Sequence, residues 1–148
     1  MIVVCNSSPL IAWSKIDGLV ILQHWFKQVY IPTSVFQETV LQSHLLPQQE
    51  AILTAIAENY LQVVEPHTSL TFKRVLGLGE QGVIQLAVEK QADLLLMDDR
   101  KAHNEATEFG FTVLKTAVLL QQAESLGIIA SYSETMQWLE KFKIYLPK

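Results

Sequence analysis

The sequence predicts an α/β fold, a mostly parallel sheet with helices on both faces. Three observations predict it. Five short apolar runs recur along the chain, and each is followed by a stretch whose apolar residues return at helical spacing. The runs close on turn or capping chemistry, at Asn6-Ser7-Ser8-Pro9, Pro32, Pro66 and Asp98-Asp99. The 148 residues suit one domain, long enough to bury a core without disulfides or metal staples. Residues 1–148 are therefore expected to form a single three-layer domain, with no linker, repeat or low-complexity segment.

Taken in order, Met1 to Cys5 is a β-branched run that reads as a buried strand. Asn6-Ser7-Ser8-Pro9 then supplies N-cap chemistry and a proline suited to a first helical turn. Leu10, Ile11, Trp13 and Ser14 continue that turn. Asp17 is expected to open a second helix with Leu19, Val20, Leu22, Trp25 and Phe26 on its apolar face. Gln28 to Ile31 is a second strand closed by Pro32, and Thr33 or Ser34 is expected to cap the helix carrying Glu38. From Pro47, Ile52, Leu53, Ile56 and Ala57 recur at helical spacing, and Leu61 to Val64 is a third strand.

His67 to Leu78 reads as a loop with one helical turn, basic around Lys73-Arg74 and rich in glycine at its end. Glu80 is expected to start a helix reaching Lys90, and Ala92 to Met97 to form the fourth strand. Arg100 to Phe109 reads as a helix stopped by Gly110, and Phe111 to Leu114 as a fifth strand. Thr116 is expected to cap a helix ended by Gly127, and Ser133 to Phe142 to form the last one.

Composition sets bounds on function. An apolar fraction of 49% with 18% charged residues describes an ordinary globular chain and excludes disorder. The formal charge of −4 argues against broad nonspecific adhesion to nucleic acid, though not against an enzyme whose acidic centre holds metal. No run reaches the roughly 18 apolar residues of a membrane span. The single cysteine, Cys5, lies in the first apolar run, and no basic segment precedes an apolar one at the N-terminus. A cytoplasmic protein is the expectation from these features.

Leu94-Leu95-Leu96-Met97-Asp98-Asp99-Arg100 is where chemistry concentrates. An apolar strand that stops at two carboxylates places them at its exit, where open parallel sheets bind ligands. Asn6 follows the first strand, Glu38 lies early in a helix after the second, and Glu80 sits at a glycine-rich helix start. With the first and fourth strands adjacent, Asn6 and Asp98 would face one another across one crevice. Carboxylates that converge without basic partners repel strongly, and a divalent cation relieves that. An all-oxygen set favours Mg²⁺ or Mn²⁺ over zinc, and such ions activate water in phosphodiester cleavage.

These segments resemble the PIN domain, in its PIN-like branch related to VapC-type toxin ribonucleases, which reads (S/D)DTSPLI at its start and LLxDDR in its middle. The matching stretches are Asn6 to Ala12, Ile31-Pro32 with Val35 to Glu38, Gly79-Glu80 and Leu94 to Arg100. Thr116 to Leu120, Ala123 and Gly127 to Ile129 extend the likeness over nearly the whole chain. The resemblance implies a sheet in the order 3-2-1-4-5 and a metal-dependent ribonuclease using Mg²⁺ or Mn²⁺. It also implies the toxin half of a toxin–antitoxin pair, with a small antitoxin protein as partner. Glu38, Glu80 and Asp98 fall on its acidic metal positions, Asp99 on the adjacent acid, and Ser8 on a supporting hydroxyl. Asn6 stands where the family carries aspartate, so the site keeps an oxygen lone pair and loses a charge. Gln81-Gly82 also departs from the acidic or alanine residues usual there. The alternative implied is a catalytically weakened or inactive PIN-fold module that binds a protein partner or RNA.

The remaining polar residues carry weaker signals. Arg100 and Lys101, and behind them Lys73 and Arg74, are candidates for phosphate contact, though each also reads as ordinary surface charge. Asp99 reads equally as the N-cap of the next helix, and Asn6 as the N-cap of the first. His24, His44, His67 and His103 lack metal-ligand spacing, and no histidine near Ser7 or Ser8 supports a serine hydrolase. A small-molecule phosphohydrolase ranks low because Asn6 cannot form an acyl-phosphate. Trp25, Phe26 and Trp138 on helices point to a homodimer.

Overall fold

Val3–Cys5 is fully buried and lies at the centre of the sheet as β1, with parallel neighbours on both sides. The computed structural model describes all residues from Met1 to Lys148. β2 (Val29–Pro32) and β3 (Leu61–Val64) extend the sheet on one side, and β4 (Leu94–Leu96) and β5 (Val113–Leu114) on the other. The order is β3-β2-β1-β4-β5, and all four pairings are parallel. The expected order is thus observed, and the sheet has no antiparallel member. Burial on both faces explains why β1 and β4 read as continuous apolar runs rather than alternating ones.

The helices follow the connections. α1 (Ser7–Lys15) and α2 (Leu19–Phe26) join β1 to β2. α3 (Thr33–Phe36), a π-helical turn over Gln37–Leu41 and α4 (Leu46–Ala57) join β2 to β3. α5 (Leu78–Lys90) crosses to β4, α6 (Arg100–Glu108) joins β4 to β5, and α7 (Thr116–Ser125) and α8 (Tyr132–Lys141) close the chain. Right-handed crossovers put α1, α2 and α4 on one face and α5 and α6 on the other. Trp13, Leu10, Ile31, Ile52, Ile84 and Leu86 fill the space between helices and sheet, so Trp13 is core. No helix is long and apolar enough to cross a membrane.

Several expected boundaries shift for identifiable reasons. Pro32, not Thr33 or Ser34, occupies the cap before α3, because its extended backbone already ends β2. Lys115 holds the cap of α7, and Thr116 is its first residue. Gly18 takes the cap of α2, after a positive φ of 53° at Asp17. α5 begins at Leu78, two residues before Glu80. The 67–77 stretch has no helical turn and is pinned by side chains instead. Glu89 accepts the N–H groups of His67 and Thr68, while Glu105 accepts those of Lys73 and Arg74. Gly110 ends α6 with φ +94°, a backbone conformation that L side chains rarely adopt.

Candidate metal centre

β1 and β4 pair through Cys5↔Leu96, so Asn6 and Asp98 leave the sheet side by side at its carboxyl edge. The Asn6 N–H donates to the Leu96 carbonyl at 2.9 Å, which extends the ladder one residue past the strand. Asn6 occupies the cap position of α1, yet its side chain makes no capping hydrogen bond. The two hydroxyls that follow reach outward instead. Ser7 Oγ donates to Glu38 Oε2 at 2.8 Å, and Ser8 Oγ donates to Asp98 Oδ2 at 3.1 Å.

Glu38 is delivered by the π-helical turn. A π turn adds a residue to the helix and re-aims the side chains that follow, a device common at functional sites. Its carboxylate lies against Gly79, in the first turn of α5. A β-carbon on Gly79 would stand 3.1 Å from the Glu38 carboxyl carbon, so glycine makes the approach possible. Glu80, one residue on, accepts the Gly77 N–H at 2.5 Å. Two carboxylates thus share the N-terminus of one helix, where its dipole favours negative charge.

Asp98 has a different environment from the other acids. It is 3% exposed, and three donors hold it. The Thr116 N–H donates to Oδ1 at 2.8 Å, and Thr116 Oγ1 to Oδ2 at 2.8 Å, alongside Ser8. Both in-plane lone pairs of Oδ2 are taken, which leaves one on Oδ1. Burial pushes the neighbouring Cys5 thiol far up, and the Asp98 charge adds to that. Asp99 is exposed and accepts the Ala102 N–H at 3.0 Å, so it does serve as the N-cap of α6.

Burial raises the Glu80 carboxyl, the Gly77 hydrogen bond opposes that, and the charges of Asp99 and Glu38 raise it further. Glu80 therefore feels the charges of both Asp99 and Glu38. The ion pairs of the chain lie elsewhere, between Lys73 or Arg74 and Glu105 or Glu108. That pairing removes Arg74 from the candidate phosphate contacts, since both terminal guanidinium nitrogens are committed. Arg100 and Lys101 are exposed and form no ion pair.

Oxygen-only donors under mutual repulsion fit a hard divalent cation in chemistry. As placed, no three acids converge closely enough to share one ion. Each acid instead has its own donor. Ser7 holds Glu38, Gly77 holds Glu80, Ala102 holds Asp99, and Thr116 with Ser8 holds Asp98. A ligand that leaves its donor forfeits roughly 1 kcal/mol, and more where the acceptor is charged.

One consequence concerns pH. A raised folded-state carboxyl stabilises the protein below the ordinary glutamate range, and that contribution is lost as pH rises through the raised value. Glu80→Gln keeps an oxygen for Gly77 and removes the charge. In metal-free buffer it is expected to melt higher than wild type at neutral pH, with the gap closing below the ordinary glutamate range. Melting curves taken across that range check it; a gap independent of pH would show that Glu80 is not strained by its neighbours.

Comparison with known proteins identifies the family and the fold. The family model DUF3368, described as a PIN domain, matches residues 2–148. No curated protein matches the chain. A PilT N-terminus domain protein from the hyperthermophilic archaeon Sulfolobus solfataricus P2 is similar in structure, with a TM-score of 0.57 at 20% identity over 83% of this chain and 93% of that one. A domain of a functionally unknown protein from Methanocaldococcus jannaschii DSM 2661 gives a TM-score of 0.52 at 18% identity, over 77% of this chain and 89% of that one. At such identities the two structures share the fold.

Proposed function

The chain belongs to the PIN domain family, and on that premise we propose that it is a metal-dependent ribonuclease of weak cation affinity. The observation that supports the reading is that Glu38 lies against Gly79 beside Glu80, that Glu80 feels the charge of Asp99, and that no basic partner pairs with these acids, which as placed still stand apart. These three acids would hold Mg²⁺ or Mn²⁺, with the free lone pair of Asp98 and the amide oxygen of Asn6 completing the set. When bound, such a cation lowers the pKa of water and takes up charge on a phosphodiester.

The chain's own residues prepare that chemistry. Ser7 orients Glu38, and the Gly77 N–H orients Glu80. Asp98 ties the exit of β4 to the start of α7 and keeps the crevice floor fixed. Arg100 and Lys101, in the first turn of α6, are free to contact phosphate. Exposed Leu41, Leu45, Leu46 and Leu53 support a protein partner such as a small antitoxin, and exposed Trp138 and Phe142 support a homodimer. The unpaired, buried Cys5 suits a reducing cytoplasm.

A second reading has its own support. Asn6 withholds one charge, and every acid already has a hydrogen-bond donor, as expected of a PIN-fold module that binds RNA or a protein without cutting. Cleavage of single-stranded RNA in Mn²⁺ by wild type, Glu38→Gln and Asn6→Asp separates the two. The ribonuclease reading expects slow cutting by wild type, a rise of about tenfold in Asn6→Asp and loss in Glu38→Gln. An inert wild type revived by Asn6→Asp would establish the module. Cutting that survives Glu38→Gln would remove Glu38 from the site.

A further inference from the structure

We propose that a polar cavity beside the acidic rim holds an unpaired nucleobase of an RNA strand, so that the protein reads sequence next to the phosphate it acts on. The inference rests on the ribonuclease reading above. The cavity measures about 410 Å³ and lies between the start of α3, the β3–α5 connection and the first turns of α5. That volume falls within the roughly 300–1,000 Å³ of small-ligand sites. Two of its lining residues adjoin the rim in sequence, Gln37 before Glu38 and Gln81 after Glu80.

The lining chemistry selects the ligand. Gln37, Gln81 and Gln85 line it with amides, Gln81 with one N–H already given to the Leu76 carbonyl, and serine and threonine hydroxyls lie among them with His67 and Glu65. Side-by-side neutral donors and acceptors are what a base edge offers, and glutamine amides read such edges in pairs. No lysine or arginine lines the cavity, which disfavours a phosphate there. Ser34 Oγ, on the same wall, is buried and has no hydrogen-bond partner.

The walls are set in advance. Gln81 Nε2 donates to the Leu76 carbonyl at 2.8 Å, which fixes that amide. Glu89 clamps the loop through the N–H groups of His67 and Thr68. Gly82 lets α5 close on Pro32 and Ser34, since a β-carbon there would stand 3.1 Å from Pro32 Cβ and collide with Ser34 Oγ. Gln81-Gly82, the pair that departs from the family's habit, thus forms part of the cavity wall.

The test is fluorescence anisotropy with short single-stranded homopolymers of A, C, G and U, in Ca²⁺ without Mg²⁺ or Mn²⁺. Wild type is expected to bind one homopolymer about tenfold tighter than the weakest, the scale of one bidentate base contact. Gln85→Ala and Gln37→Ala are expected to flatten that preference while leaving the melting temperature near wild type, which separates lost reading from lost folding. Equal binding of all four, a preference that survives both variants, or no RNA binding would overturn the proposal. So would displacement by nucleoside monophosphates as effective as by the oligomer, which would make the ligand a free nucleotide. Base preference without any cleavage in Mn²⁺ would sink the ribonuclease reading and leave the cavity assignment standing. Cleavage without base preference would do the reverse.

Discussion

Asp98→Ala is expected to lower the melting temperature by about 10 °C. The substitution strands the Thr116 N–H, Thr116 Oγ1 and Ser8 Oγ at a position only 3% exposed. Hydrogen bonds to a charged group contribute about 1.5–3 kcal/mol, and a buried donor left unpaired costs about 1–3. The two hydroxyls can rotate towards other acceptors, while the Thr116 N–H cannot. A net loss of about 3 kcal/mol follows, and in a domain of this size each kcal/mol shifts melting by roughly 2–4 °C. Asp99→Ala provides the internal comparison, since an exposed N-cap is worth about 1 kcal/mol. Calorimetric melting of both variants decides the matter: equal, small shifts would mean that Asp98 does not anchor the start of α7 to the exit of β4.

Asn6→Asp is expected to have the largest effect on cation binding, and opposite effects on stability with and without metal. Asn6 is 6% exposed and stands beside Asp98 at the carboxyl edge. A new carboxylate there is poorly solvated and repelled by the acids around it, so the metal-free variant should melt below wild type. In Mn²⁺ the same charge becomes an attraction, strengthening binding by about 1.4 kcal/mol, which is tenfold. Melting of the variant should therefore rise more steeply with Mn²⁺ than that of wild type, because a ligand stabilises the state it binds.

The fold was largely legible because its signals are local. Leu61–Val64 runs from the end of a helical spacing pattern to Glu65-Pro66, and its bounds are those observed. Asp99 as a cap and Gly110 as a helix stop are local signals too. What the sequence hid depends on distant partners. Thr116 reads as a cap, yet its hydroxyl and N–H serve Asp98 across 18 residues. Arg74 reads as a free cation, yet it serves Glu105 and Glu108 across 31 and 34. The π turn under Glu38 has no sequence signature of its own, because TSVFQETVL suits an ordinary helix. The likeness to the family named the acids, while their separate hydrogen bonds became visible only in three dimensions.

On the proposed function, Glu38, Glu80 and Asp99 would take up a hard divalent cation, and Asn6 would contribute less to holding it than an aspartate. Calorimetric titration with Mn²⁺ of wild type and Asn6→Asp tests it most directly. The account predicts weak, saturable binding to wild type and binding about tenfold tighter to the variant. Absence of binding to both proteins, or equal affinity for the two, would contradict it.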